Sequence, residues 1–134
     1  MADTLQLEIV TPDRLVQKDV AEEIQIPGKN GYIGVLPGHA PLITELAVGE
    51  IVYRMAGRTT RVAVAWGFAE VLPDKVTILA EKAEKAEEID VKRAEEAKQR
   101  AEERLHSAST EVDFARAQNS LDRATTRLDV AKGK

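Results

Sequence analysis

Up to about Glu81, apolar and polar residues alternate with a period of two; beyond it they follow the longer period of a helix. Leu5, Leu7 and Ile9 alternate with polar residues before Thr11-Pro12-Asp13. Ile24 and Ile26 precede Pro27-Gly28-Lys29-Asn30-Gly31, and Ile33 and Val35 precede Pro37-Gly38-His39-Ala40-Pro41. Ile51, Tyr53 and Met55 share a face before Ala56-Gly57; Thr60, Val62 and Val64 continue to Trp66-Gly67. Phe68 to Leu72 and Val76 to Leu79 flank Pro73-Asp74. Side chains alternate faces along a strand, and Pro and Gly set the backbone angles of turns, so these runs predict short strands. Eight to ten of them, with turn signals about every ten residues, predict a small antiparallel sandwich or barrel.

After Glu81 there is no proline and only one glycine, Gly133, and the composition turns to Ala, Glu, Lys and Arg. These are helix formers. One helix is predicted roughly from Asp90 to His106, with the Asp90 carboxylate accepting from free amides of the first turn. Ser107-Ala108-Ser109 is a short connection. Thr110 with Asp113 resembles a capping box and opens a second helix, to about Ala131. So short a linker makes the pair an antiparallel hairpin. The fold class is thus β + α: an N-terminal antiparallel β-sandwich over residues 1–84, of about ten strands, and a C-terminal antiparallel two-helix hairpin over 85–134.

The apolar stripe of the hairpin is thin. Ala117, Leu121, Ala124, Leu128 and Ala131 line one helix; Ala94, Ala101, Leu105 and Ala108 line the other. Most are methyl groups, and burial yields ~0.8 kcal/mol for a CH₂-sized group. Helices of this length are marginal alone. Two readings follow: a static hairpin packed closely through small residues, or an element that leaves its packed state at modest cost.

Charge and composition narrow the function. The net charge is −4, without the basic excess a nucleic-acid backbone requires. There is no cysteine, hence no disulfide, thiolate or Cys-type zinc chemistry. His39 and His106, the only histidines, lie in different halves, so no histidine metal site is expected. Gly28, Gly31 and Gly34 fit neither a phosphate-binding loop nor a dinucleotide fingerprint. No stretch approaches a membrane span or a signal peptide. A soluble, cytoplasmic, non-catalytic chain is expected.

One constellation suggests binding. Arg93 and Arg100 share a face of the first helix; Arg116, Arg123 and Arg127 share a face of the second. In an antiparallel hairpin Arg93 and Arg100 approach Arg127 and Arg123, and guanidinium forks suit phosphate. The alternative is pairing with Glu96, Glu103, Asp122 and Asp129 on a solvated surface.

Gly34-Val35-Leu36-Pro37-Gly38-His39-Ala40-Pro41-Leu42 resembles the signature loop of the ε subunits of bacterial F-type ATP synthases. Thr11-Pro12-Asp13, Gly67-Phe68-Ala69-Glu70-Val71 and Val76-Thr77-Ile78-Leu79-Ala80 are similar to other segments of that family, and the likeness covers essentially the whole chain. The resemblance implies a ten-stranded β-sandwich and a helical hairpin in the central rotor stalk. It also implies a non-catalytic subunit at the cytoplasmic face of the plasma membrane, reaching the membrane only through partners. Those partners would be the γ subunit, the ring of c subunits and, when the hairpin extends and restrains ATP hydrolysis, the α and β catalytic subunits. Ile89-Asp90-Val91-Lys92-Arg93-Ala94 matches the motif of members whose folded hairpin binds ATP as a regulatory ligand. On that likeness the ATP-binding residues are Glu84, Ile89, Asp90, Arg93, Ala94, Arg100, Arg123 and Arg127. The arginines would hold phosphates, and the Glu84–Ile89–Asp90 segment would receive the adenine. Tyr32 and His39 are implied to face the c ring, although the family often has an acid near Tyr32. Two rivals stay open: a free-standing ATP-sensing module, and a purely structural stalk subunit that binds no nucleotide.

Overall fold

The structure, a computed structural model, describes residues 3–133. Eight strands come first: β1 (Leu5–Val10), β2 (Leu15–Ala21), β3 (Glu23–Gly28), β4 (Gly31–Val35), β5 (Leu42–Leu46), β6 (Gly49–Met55), β7 (Arg58–Val71) and β8 (Lys75–Lys85). A 3₁₀ turn, Ala86–Glu88, leads to α1 (Val91–Ser107) and α2 (Glu111–Gly133). The strand order is β2-β1-β8-β7-β5-β3-β4, with β6 bridging β3 and β7. Pairing is antiparallel except between β1 and β8, which run parallel.

The strands number eight rather than about ten because β7 and β8 are long and serve both halves of the fold. Residues 58–64 of β7 pair with β6, and residues 67–71 pair with β5. β7 bends between these parts at Trp66 (φ 54°) and Gly67 (φ 120°). The Trp66-Gly67 pair therefore breaks the alternation without ending the strand. A β-carbon on Gly67 would lie 2.0 Å from the Leu79 carbonyl oxygen, so glycine is what lets β7 bend here while staying paired with β8. The resulting sandwich encloses Leu5, Leu7, Ile9, Ile24, Ile26, Ile51, Val62, Val71, Val76 and Ile78, all fully buried.

Two strands are faint in the sequence, β2 and β5. β2 buries only Val16 and Ala21, which are out of step with a period of two, and β5 alternates in burial although its residues, Leu-Ile-Thr-Glu-Leu, do not alternate between apolar and polar. β2 is fastened by Tyr53 of β6, whose Oη donates to Asp19 Oδ2 at 2.9 Å and accepts from Gln17 Nε2 at 2.6 Å.

The helical half begins and ends within a residue or two of expectation. Asp90 caps α1, accepting from the Arg93 amide at 3.1 Å, and Thr110 Oγ1 accepts from the Asp113 amide at 3.0 Å. The seam between the helices holds Ala94 and Ala101 against Ala117, Ala124 and Leu128. α1 packs on α2, and α2 in turn rests on β6, β7 and β8. That second contact is made by Val130, fully buried in a cluster with Ala63 and Ile89. α2 thus has two apolar faces, and the single stripe read from the sequence covers only the one toward α1.

Candidate functional site

A cavity of about 610 Å³ lies where the hairpin meets the sandwich. This is within the range of small-molecule sites, ~300–1,000 Å³. The β1–β2 turn and β8 form one wall, and α1 and α2 form the other. Seven basic residues line it against three acids, and five of the bases are arginines of the hairpin: Arg93, Arg100, Arg104, Arg123 and Arg127. Ala97 and Ala124 give the helical wall small apolar patches. Small residues there let guanidinium groups from two helices converge on one space.

Each arginine has a distinct setting. Arg127 is held by Glu84 of β8, with Nε at 2.7 Å and Nη2 at 3.3 Å from its two carboxylate oxygens. Arg123 donates to Ser120 Oγ at 3.1 Å and lies over the Trp66 ring, 5.1 Å from its centroid. That geometry is a cation–π contact between α2 and the bend of β7. Arg93, Arg100 and Arg104 form no salt bridge with any described residue. The acids that could have neutralised them from the hairpin itself, Glu96, Glu103, Asp122 and Asp129, pair with none of them. Three guanidinium groups without an ion-pair partner on one wall have the chemistry that suits a polyanion.

Glu84, Arg93, Arg100, Arg123 and Arg127 thus meet in one cavity, as the spacing suggested for the arginines. Ile89, Asp90 and Ala94 do not line it. Ile89 is buried against Ala63 and Val130, Asp90 is spent on the helix cap, and Ala94 is fully buried. These three fix the start of α1 and so aim Arg93. Arg116 lies apart, with Arg104, in a hollow of about 320 Å³ near the helix–helix turn.

Among the lining residues not assigned to the site from the sequence, four bear most on it: Arg104, Arg14, Lys82 and Ser120. Arg104 follows Arg100 by four residues, so helical spacing alone places it on the same face. Arg14 and Lys82 come from the sandwich, and only the fold brings them to the helices. Ser120 positions Arg123 and has no charge to betray it. Arg14 is bound to Glu88, which together with the Lys85 amide holds that carboxyl below its ordinary value; the same contact raises the Arg14 guanidinium. Among the described residues no cluster of acids, histidines or cysteines could hold a metal ion. No described helix is long and apolar enough to cross a membrane.

Tyr32 and His39 are not gathered into one patch. Tyr32 is at the start of β4, largely exposed, its Oη accepting from the Glu50 amide at 3.0 Å. His39 lies beyond the other end of β4, in a turn pinned by the Gly38 amide donating to the Pro73 carbonyl at 2.7 Å.

Comparison with known proteins places both halves. Residues 4–86 match the family described as ATP synthase, Delta/Epsilon chain, beta-sandwich domain. Residues 87–132 match the corresponding long alpha-helix domain. The chain is 71% identical over 111 residues to the ATP synthase epsilon chain of Koribacter versatilis, covering 83% of this chain and 78% of that one. It is 52% identical over 128 residues to the epsilon chain of Bacillus subtilis, covering 96% and 97%. Among solved structures, a chain of the Euglena gracilis mitochondrial ATP synthase superposes with a TM-score of 0.81. Sequence identity there is 24%, over 98% of this chain and 82% of that one, a likeness of fold.

Proposed function

Because the chain belongs to the ATP synthase delta/epsilon family, we propose that it is a regulatory, non-catalytic stalk subunit whose folded hairpin binds ATP. The observation that carries this reading is the arginine cavity between hairpin and sandwich. Its walls come from both parts of the molecule, so a polyanion inside it touches both. Arg93, Arg100, Arg104 and Arg123 face the phosphates, while Arg127 is already balanced by Glu84. Ile89, Asp90 and Ala94 act by holding the first turn of α1 rather than by contact.

Regulation follows from linkage. A ligand that binds the folded hairpin and not the extended one stabilises the folded state by RT ln(1 + [ATP]/Kd). At [ATP] equal to Kd this is about 0.4 kcal/mol, and it reaches about 2.7 kcal/mol at a hundredfold excess over Kd, so the shift is decisive only because a mostly alanine seam leaves the two states close in free energy. At high ATP the hairpin stays on the sandwich and hydrolysis by the α and β subunits runs free. At low ATP it extends and restrains them. Calorimetric titration of ATP into the isolated chain should give a single saturable site. Absence of heat at millimolar ATP would remove this reading and leave a stalk subunit that binds no nucleotide.

The sandwich is the docking part, joining the γ subunit and the c ring at the cytoplasmic face, with no membrane contact of its own. Tyr32 and His39, at opposite ends of β4, serve separate contacts in this arrangement. In assembled enzyme, cysteine substituted for Tyr32 or for His39 should crosslink to the c ring; absence of a product from both positions would count against the placement.

A further inference from the structure

The segment between β8 and α1 is fixed by a contact that involves none of the four spacing-matched arginines. Arg14, in the turn from β1 to β2, grips Glu88 with both ends of its guanidinium: Nη1 to Oε2 at 2.9 Å and Nη2 to Oε1 at 3.0 Å. The two residues are 74 positions apart in the chain. Glu88 Oε1 also accepts from the Lys85 amide at 2.9 Å, closing the 3₁₀ turn on itself. Arg14 is anchored in its turn, since its carbonyl accepts from the Thr11 amide at 2.9 Å. One carboxylate therefore ties three things together: the end of β8, the 3₁₀ turn and the β1–β2 turn. On the other side of this linker, Ile89 is buried against Ala63 and Val130.

We infer that the Arg14–Glu88 pair is a hinge clamp that holds the linker in the bent form required by the folded hairpin, independently of any ligand. The bent linker sets the direction in which α1 leaves β8, and with it the placement of the hairpin whose α2 rests on β6, β7 and β8. An extended hairpin needs the linker straightened, which carries Glu88 away from Arg14 and breaks the paired hydrogen bonds. Because both guanidinium ends are already on Glu88, Arg14 serves the hinge first; the free guanidinium groups of Arg93, Arg100 and Arg104 are left for the anion. The clamp is solvent-accessible, so its strength is that of a surface pair of good geometry rather than a buried one. It rests on the proposed mobility of the hairpin but not on ATP binding.

The test is amide hydrogen exchange of the full chain, without nucleotide, for Arg14→Gln, Glu88→Gln and the double variant. The glutamine that replaces Glu88 keeps an oxygen for the Lys85 amide, so the turn survives while the ion pair is lost. Undocked helices of this length fray, so amides of α1 report opening. Each single variant should raise α1 exchange by about two- to fivefold, with core amides of β1, β7 and β8 unchanged. The double variant should be no faster than either single one, because the two residues act through one pair. Unchanged α1 rates, additive effects, or an equal rise in the sandwich core would each overturn the clamp. A failed ATP titration would leave all these rates as they are, so the two ideas fail separately.

Discussion

Gly67→Ala is expected to destabilise the sandwich by about 3 kcal/mol or more, lowering the unfolding midpoint by roughly 10 °C or more. Two costs combine. The residue sits at φ 120°, where a side chain is strained. Its new β-carbon would also meet the Leu79 carbonyl oxygen at 2.0 Å and the Ala80 Cα at 2.9 Å. Both are backbone atoms of β8 and cannot swing aside, so relief requires parting the β7–β8 ladder at the bend. Gly38→Ala separates the terms. Gly38 also has positive φ, 89°, but nothing lies within 4 Å of its added carbon. Strain alone should cost it about 1–2 kcal/mol. Thermal melts of the two variants measure the difference; equal losses would mean the β7–β8 ladder yields easily and the bend is not set by Gly67.

The second large effect is on the ligand. Replacing both Arg93 and Arg100 by alanine should abolish measurable ATP binding while leaving the fold intact. A hydrogen bond to a charged group is worth about 1.5–3 kcal/mol, so each arginine contributes roughly ten- to a hundredfold in affinity. Both are exposed and neither makes a salt bridge to a described residue, so their removal leaves no orphaned partner. Arg127→Ala differs in kind. It frees the Glu84 carboxylate, now 2.7 Å from Arg127 Nε, to face the phosphates. Its loss should therefore exceed that of either Arg93→Ala or Arg100→Ala and should come with weaker docking of α2 on β8. Calorimetry with parallel melts distinguishes the cases. Wild-type affinity in the Arg93/Arg100 double variant would show that these groups only solvate the helix surface.

Much of this was legible in the order of residues, for identifiable reasons. Strands with one face in the core, such as β1 and β6, announce themselves by alternation. β2 buries too few residues to do so, β5 does not alternate apolar with polar residues, and the Trp66-Gly67 bend looks like a strand end because proximity to Leu79 is invisible in one dimension. On the helices, spacing by seven and four was enough to bring Arg93, Arg100, Arg123 and Arg127 together, since a short connection dictates an antiparallel hairpin. The same rule, applied once more, reaches Arg104. It cannot reach Arg14 or Lys82, which arrive by strand topology. Ile89, Asp90 and Ala94, reached by motif alone, do not line the cavity, and a motif says nothing about whether a side chain faces a cavity or holds up its wall. Val130 is hidden for a similar reason: a helix packed on two sides has two stripes, and neither is complete.

The proposal that ATP holds the hairpin folded links the two through one equilibrium, which amide exchange reads directly. Exchange of the α1 amides in the isolated chain, followed over a range of ATP concentrations, should slow in proportion to 1 + [ATP]/Kd, with the same Kd that calorimetry gives, while amides in the sandwich core hold constant. The Arg93/Arg100 double variant should show no such slowing. Saturable ATP binding that leaves α1 exchange unchanged would contradict the proposal that ATP holds the hairpin folded.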